Sequence, residues 1–177
     1  ERSTDTADVL RKSTDYVFDT NDYRYDLARL GRATALVFWR QQNDPGSVHG
    51  LFGHGPGASR SESTVAVGKL AKKYFWALDT HAASTLLWDV GLVGCLSFAL
   101  ALVMAAIAGL RLARDVRLAP ERRAVAEAAG IGLLLITSTL AYTGDAVGNP
   151  VLQFATFFML AVIAKARSES RQVQAAA

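Results

Sequence analysis

The sequence predicts an all-α membrane protein fragment in which a polar helical segment precedes three transmembrane helices. Residues 1–80 carry 11 basic and 10 acidic side chains, whereas residues 90–110 carry none. Two further apolar stretches follow, at 124–143 with Glu127 near its start and at 146–164 without any charge. A helix needs about 20 apolar residues to cross a bilayer, and each stretch has that length. Three such stretches joined by short loops favour a polytopic membrane protein over a soluble helical core.

The basic residues after the first predicted span indicate an orientation. Five arginines lie between the first and second spans and three basic residues follow the third, whereas the turn at 144–150 has none. Loops rich in Lys and Arg stay in the cytoplasm. Residues 1–88 and the 144–150 turn are therefore predicted to face the periplasm or the exterior, and the tail at 165–177 the cytoplasm.

Composition argues against several classes of protein. The net charge of +3 does not predict a nucleic-acid partner, because the basic residues lie where a membrane protein needs them. Cys95 is the only cysteine, so no intrachain disulfide can form. His49, His54 and His81 lack the spacing of metal ligands, and neither a metal nor another cofactor is predicted.

The start of the chain suggests a missing part. It begins at Glu1 with neither an initiator methionine nor a signal sequence. Because a polar outer segment must be carried across the membrane, we expect this chain to be the C-terminal part of a larger polytopic protein. Transmembrane helices of the missing N-terminal part would then complete any active site.

The polar segment can be divided in order along the chain. Residues 1–23 are rich in Ser, Thr, Asp and Asn, which predicts turns and short helices. Apolar residues at helical spacing predict an amphipathic helix over 25–42. Two prolines and five glycines predict a loop over 43–59. A further helix is predicted from about Glu62 after a serine cap, and the polar end of the chain, 167–177, is predicted to be disordered.

His81 and Asp89 are the first candidates for chemistry. His81 stands shortly before the first long uncharged stretch, and an imidazole can act as a general base near neutral pH. A lone histidine at this place is more often an interfacial residue that caps the following helix. Asp89, eight residues later, either orients a partner or begins the span.

Arginines and a glycine loop are the other candidates. The guanidinium groups of Arg24, Arg29 and Arg32 can bind phosphate bidentately, or can face solvent and lipid headgroups. The GHGPG loop at 53–57 can form an anion nest from successive N–H groups, or can be a tight return of the chain. It lacks the Lys-Ser/Thr of a P-loop, so nucleotide binding is not predicted.

Taken in order, these motifs resemble a known family. GRATALVFW, then GLFGHGPGAS, then THAASTLLWDVGLVGCLSFALAL is similar to the C-terminal half of the O-antigen ligase and polymerase superfamily of the bacterial inner membrane. The motifs cover roughly residues 29–110, and the remaining spans fit by topology. The resemblance implies multi-pass insertion in the inner membrane and a helical glycosyltransferase setting of the GT-C type.

The resemblance also implies roles for particular residues. His81 matches the family's periplasmic histidine and Arg32 a ligand of the lipid diphosphate. Ala82 stands where the family has Asn or Ser, and Asp89 where Glu is commoner. The place of the second family arginine stays open among Arg24, Arg29 and Arg60. The other substrate-binding candidates are Gly53, His54, Gly55, Gly57 and Asp89, with Gly91 and Gly94 at the helix entry.

The implied activity is metal-independent glycosyl transfer on the periplasmic face. The donor would be a glycan on undecaprenyl diphosphate, and the acceptor a sugar hydroxyl of a lipid-linked glycan or of a lipid A core. His81 would take the proton of the attacking hydroxyl while arginines balance charge on the leaving group. The alternative is a non-catalytic membrane subunit of a polysaccharide export or assembly machine.

Overall fold

The computed structural model describes residues 6–24, 28–61, 66–143 and 145–176. The regular secondary structure of the described residues is helical apart from two short strands, which confirms the predicted all-α class. It divides into two compact units. The first comprises Glu1–Cys95 with Ala141–Gly144, and the second comprises Leu96–Leu140 with Asp145–Ala177.

The first unit contains short helices around a small antiparallel strand pair. Its elements are α1 (Thr6–Phe18), β1 (Tyr23–Arg24), β2 (Arg29–Leu30), α2 (Arg32–Gln42), α3 (Val48–Phe52), α4 (Lys69–Tyr74) and the first part of α5 (Ala82–Leu112). In the strand pair, Tyr23 lies opposite Leu30 and Arg24 opposite Arg29.

The helix predicted over 25–42 is therefore too long at its start. It begins at Arg32, because Gly31 holds the preceding chain against the segment before β1. The Gly31 amide donates to the carbonyl oxygen of Asp22 at 2.8 Å, and a Cβ on Gly31 would lie 2.9 Å from the Asp22 Cβ. The predicted residues 25–27 lie outside the described part of the chain.

The segment between α2 and α5 differs from its prediction in two places. The predicted 43–59 loop contains α3, which Ser47 caps by accepting a hydrogen bond from the Gly50 amide at 3.0 Å. The helix predicted from about Glu62 has its start outside the described residues, and the described helix begins at Lys69. There Gly68 donates to the Arg60 carbonyl oxygen at 2.8 Å, which folds the chain back onto the loop.

Aromatic side chains form the core of the first unit. Trp88 of α5 is fully buried, and its ring lies 6.2 Å from that of Phe38 and 5.7 Å from that of Tyr74. Trp39 Nε1 donates to the Leu87 carbonyl oxygen at 3.1 Å. This packing fixes α2 and α4 against the first turns of α5.

Helix α5 is broken at Gly91, which has φ +73° and ψ −174°. Only glycine adopts this backbone conformation readily. Residues 92–110 after the break are uncharged and span about 28 Å as a helix, close to the thickness of a bilayer core. This part of α5 corresponds to the first predicted span.

The second unit consists of the later part of α5 with α6 (Pro120–Thr139), α7 (Asp145–Gly148) and α8 (Pro150–Ala176). Small residues allow α5 and α6 to pack closely. A Cβ on Gly109 would lie 2.8 Å from the Ala126 carbonyl oxygen, and one on Gly130 would lie 3.0 Å from that of Ala106. Close approach through small residues is typical of helices that pack in membranes.

The described residues contain two helices long and apolar enough to cross a membrane, Ala82–Leu112 and Pro150–Ala175. Helix α6, at the predicted span 124–143, is not one of these two, so two of the three predicted spans are supported. Helix α6 begins with four charged side chains within its first eight residues and ends at Thr139. Its 12 uncharged residues, 128–139, are only about 18 Å long as a helix.

The end of the chain is also more ordered than predicted. Helix α8 continues from Pro150 to Ala176, so the residues predicted to be disordered are helical as far as the structure describes them. Ser170 Oγ donates to Asp115 Oδ2 at 2.5 Å, and Arg122 lies 3.5 Å from Glu169. These contacts, both within the second unit, hold the polar part of α8 against the α5–α6 connection and the start of α6.

Candidate functional site

The glycine loop is bound tightly to the start of α5 by Asp89. The Asp89 carboxylate accepts hydrogen bonds from the amides of Gly57 at 2.6 Å and Ser59 at 3.0 Å. The Asp89 carbonyl oxygen accepts a hydrogen bond from the backbone amide of Gly55 at 3.0 Å. The Trp88 carbonyl oxygen accepts one from the backbone amide of His54 at 2.9 Å. Asp89 therefore positions the loop, and a diphosphate could reach these amides only by displacing the existing hydrogen bonds.

Two glycines permit the loop and α5 to touch backbone to backbone. Gly53 and Gly91 both have positive φ, +75° and +73°. A Cβ on Gly53 would lie 2.4 Å from the Asp89 carbonyl oxygen, and one on Gly91 would lie 2.4 Å from that of Leu51. The break in α5 is therefore the surface against which the loop closes.

His81 is buried immediately before α5. Its side chain is 1% exposed. Burial lowers the pKa of His81 to about 4, with a further lowering from the charge of Arg32, so the imidazole is neutral at pH 7. Nδ1 lies 3.0 Å from Thr80 Oγ1, and the tautomer decides which of the two groups donates.

Arg32, at the first position of α2, stacks on two tyrosines. Its Cζ atom lies 3.9 Å from the centre of the Tyr142 ring and 4.9 Å from that of Tyr16. Among the described residues, no hydrogen-bond acceptor reaches the buried Arg32 Nε and no carboxylate forms an ion pair with this guanidinium. Cation–π contacts with the two rings hold the guanidinium, and its Nε–H has no acceptor among the described residues.

Arg32 lies close enough to His81 for its positive charge to lower the pKa of the imidazole. Thr34 lies in the first turn of α2. Its Oγ1 accepts a hydrogen bond from the Asp22 amide and donates one to the Asp19 carbonyl oxygen, each at 2.9 Å. The amide of Ala82 donates to the Thr143 carbonyl oxygen at 2.9 Å, which places the residue after His81 beside the segment that carries Tyr142. Two distant parts of the sequence thus meet at this site.

His54 lies in the loop with a partner on either side. Its Nε2 is 2.9 Å from Asn43 Oδ1, and its ring stacks on that of His49 with a centroid distance of 4.5 Å. Burial lowers the pKa of His54, and the neighbouring charges of His49, Lys69 and Lys73 act in the same direction. Neutral His54 donates through Nε2 to the Asn43 amide oxygen.

The other arginine candidates lie at different places in the first unit. Arg24 and Arg29 are opposite each other in the β1–β2 backbone register, and Arg29 also forms a bridge to Ala77. Arg60 is exposed at the end of the glycine loop. The structure brings Arg32 to His81, and it does not select among the three candidates for a second arginine.

The sequence motifs do not indicate three further residues of this site, Tyr16, Tyr142 and Thr80. Tyr142 was part of a predicted apolar span, and its distance along the chain from Arg32 left no local signal of the contact. Thr80 adjoins His81 in sequence, so a search for a side chain that orients the imidazole could have identified it.

Within the described ranges, His, Cys, Asp and Glu do not form any group of three or more suited to a metal ion. No protein-family model, curated protein or solved structure matches this chain.

Proposed function

We propose that the chain carries part of the active site of a glycosyltransferase of the O-antigen ligase or polymerase type. The site would act at the outer face of the bacterial inner membrane, on a glycan linked to undecaprenyl diphosphate. Support comes from the order of the Gly-Arg, glycine-loop and histidine motifs, and from two helices long and apolar enough to cross a membrane. The acceptor is a sugar hydroxyl.

One observation carries this proposal. The positive charge of Arg32 contributes to lowering the pKa of the buried, neutral imidazole of His81. The Arg32 guanidinium has no carboxylate partner in the described part of the chain. A cation held against tyrosine rings, with no counter-ion among the described residues, suits a ligand that brings its own negative charge, such as a diphosphate. The neutral imidazole has a free nitrogen to accept a proton, and the negative charge of a bound diphosphate would raise its pKa towards the value that a general base needs.

In the proposed reaction, the acceptor hydroxyl oxygen attacks the anomeric carbon of the donor sugar as its proton passes to His81 Nε2. The bond between the anomeric carbon and the diphosphate oxygen breaks, and the electron pair leaves with the lipid diphosphate. Arg32 stabilises the charge that grows on this leaving group. The mechanism requires the tautomer in which His81 Nδ1–H donates to Thr80 Oγ1 and leaves Nε2 unprotonated.

The remaining candidates have supporting parts in this proposal. Asp89 and the glycines hold the loop closed against α5, and His54 lies within that loop. Arg24, Arg29 and Arg60 are alternatives for a second diphosphate contact. Further helices of a longer protein would supply the rest of the donor cavity.

The test is complementation of cells that lack the protein with single variants. His81→Ala is expected to lower transfer by about 10²–10⁴-fold, because it removes the general base. Arg32→Ala is expected to lower it by about 10²-fold or more, because leaving-group stabilisation is lost. Arg40→Ala, on the exposed end of the same helix, is the matched control and should retain transfer. Membrane levels of each variant are measured in parallel.

A second candidate function is a non-catalytic subunit of a polysaccharide export or assembly machine. The burial of His81 favours this alternative, because a side chain that is 1% exposed must become accessible before it meets a substrate. Wild-type amounts of product from inserted His81→Ala protein would support the subunit and exclude His81 as the base.

Glycan profiles of the cells that lack the protein separate the two reactions. Single repeat units attached to the final acceptor, without longer chains, would indicate a polymerase. Accumulation of a lipid-linked polymer would indicate a ligase.

A further inference from the structure

The second unit contains a cavity of about 770 Å³ between α5 and α8. This volume lies within the range of small-molecule sites, about 300–1,000 Å³. One end is apolar and is lined by Met104, Ala108, Leu160 and Ile163. All of these residues belong to the second unit, so the cavity is separate from the site of His81.

The other end of the cavity is basic. Arg111 of α5 and Arg167 and Arg171 of α8 line it, together with Asp115. Along α8 the lining positions 160, 163, 164, 167, 168 and 171 recur at helical spacing, so one face of the helix changes from apolar to basic. The cavity therefore presents apolar walls and a cationic end in the same order along both helices.

Among the described residues, positive charge exceeds negative charge at the basic end of the cavity. In the described part of the chain, none of Arg111, Arg167 and Arg171 forms an ion pair. The Asp115 carboxylate is occupied by Ser170 Oγ at 2.5 Å and by the Arg117 amide at 3.0 Å. These hydrogen bonds lower the pKa of Asp115, which keeps it ionised, and three cations then face a single anion.

We propose that this cavity binds one anionic glycerophospholipid, with its phosphate at the three arginines and an acyl chain along the apolar wall. The arginines come after the apolar stretch of each candidate membrane-spanning helix, where phospholipid headgroups are expected. Basic pockets between such helices suit acidic headgroups. A zwitterionic lipid would leave the excess positive charge unbalanced, and a free phosphate would make no use of the apolar wall.

The experiment is native mass spectrometry of the intact protein in detergent, with added phosphatidylglycerol or phosphatidylcholine of identical acyl chains. We expect one phosphatidylglycerol per chain to bind at least about tenfold more tightly than phosphatidylcholine. The double variant R111Q/R167Q is expected to lose this preference. R114Q/K165Q removes the same charge outside the cavity, from the turn that follows α5 and from α8, and should retain it.

A second variant tests the apolar wall without changing charge. Ala164→Phe narrows the cavity at an exposed position and is expected to weaken phosphatidylglycerol binding severalfold. Excess sn-glycerol 3-phosphate is expected not to displace the lipid. Equal loss in both double variants would show general surface attraction and overturn the proposal. Binding of glycerol phosphate as tight as that of the lipid, unaffected by Ala164→Phe, would show a free-phosphate site and would also overturn it.

Discussion

At the scale of single residues, His81 and Arg32 show how burial and neighbouring charge set the properties of a side chain. An exposed imidazole would be partly protonated near neutral pH, whereas the buried one is neutral because water is excluded and Arg32 is near. The guanidinium is held by the faces of Tyr16 and Tyr142, which leaves its donors free of carboxylates in the described structure. The site thus holds a cation that no carboxylate of the described residues neutralises.

The lowered pKa of His81 predicts how stability changes with pH. Between pH 6.5 and about 4 the unfolded chain binds a proton at this residue and the folded chain does not, so stability is lost as the pH falls through this window. The contribution of His81 to the free energy of unfolding is expected to decrease by about 2 kcal/mol from about pH 7.5 to about pH 5. Above about pH 7, His81 should contribute no pH dependence.

Unfolding of the detergent-solubilised protein at these two pH values checks this prediction. The glutamine of His81→Gln cannot titrate. Between these pH values, the free energy of unfolding of this variant should therefore decrease by about 2 kcal/mol less than that of the wild type. An identical pH dependence in the two proteins would contradict neutral burial of His81.

At the scale of elements, the break in α5 and the glycine loop form one structural device. Gly91 breaks the helix, and Gly53 lets the loop approach this break. The Asp89 carboxylate accepts hydrogen bonds from the loop amides. A glycine-rich sequence alone left an anion nest and a tight return equally open. The hydrogen bonds of the amides favour the tight return, because their donors are already used within the protein.

Alanine substitutions at three glycines should reduce stability by different amounts. The amount depends on whether φ is positive and on what the added Cβ would contact. Gly91→Ala combines positive φ with a collision at the Leu51 carbonyl oxygen, and is expected to destabilise by more than about 3 kcal/mol. Gly55→Ala has positive φ but open space, which predicts about 1–2 kcal/mol. Gly46→Ala has neither and should stay within about 0.5 kcal/mol. Unfolding of the purified variants measures the order, and equal effects at Gly91 and Gly55 would refute the collision.

At the scale of the whole molecule, the number of membrane-spanning helices depends on where each helix begins and ends. Hydropathy along 124–143 suggested a third span, yet α6 starts earlier, at Pro120, and ends at Thr139. Its charged first turns are better solvated by water than by lipid. The two helices that qualify are α5 and α8.

Cysteine labelling can test this arrangement. In a Cys95→Ser background, Ala128→Cys lies one residue from Glu127 on an exposed face of α6 and is expected to react with a water-soluble maleimide in open membranes. Ala101→Cys, in the uncharged part of α5, is the matched control and should stay unreactive because lipid excludes the reagent. Protection of Ala128→Cys to the same degree as Ala101→Cys would restore the three-span interpretation.

The sequence by itself determined the all-α class, the apolar helices and the order of the candidate motifs. Hydropathy and helical spacing are sums over neighbouring residues, so a single sequence suffices for them. The candidate residues His81 and Arg32 were also identified from local motifs.

Only the tertiary structure decided what these residues touch. Tyr142 reaches Arg32 across more than half the chain, and Asp89 binds amides about 30 residues upstream. The extent of α6 likewise followed from its packing and ends rather than from its mean hydropathy. Such contacts depend on how distant segments are brought together by burial of the core, and no local pattern in the sequence encodes that geometry.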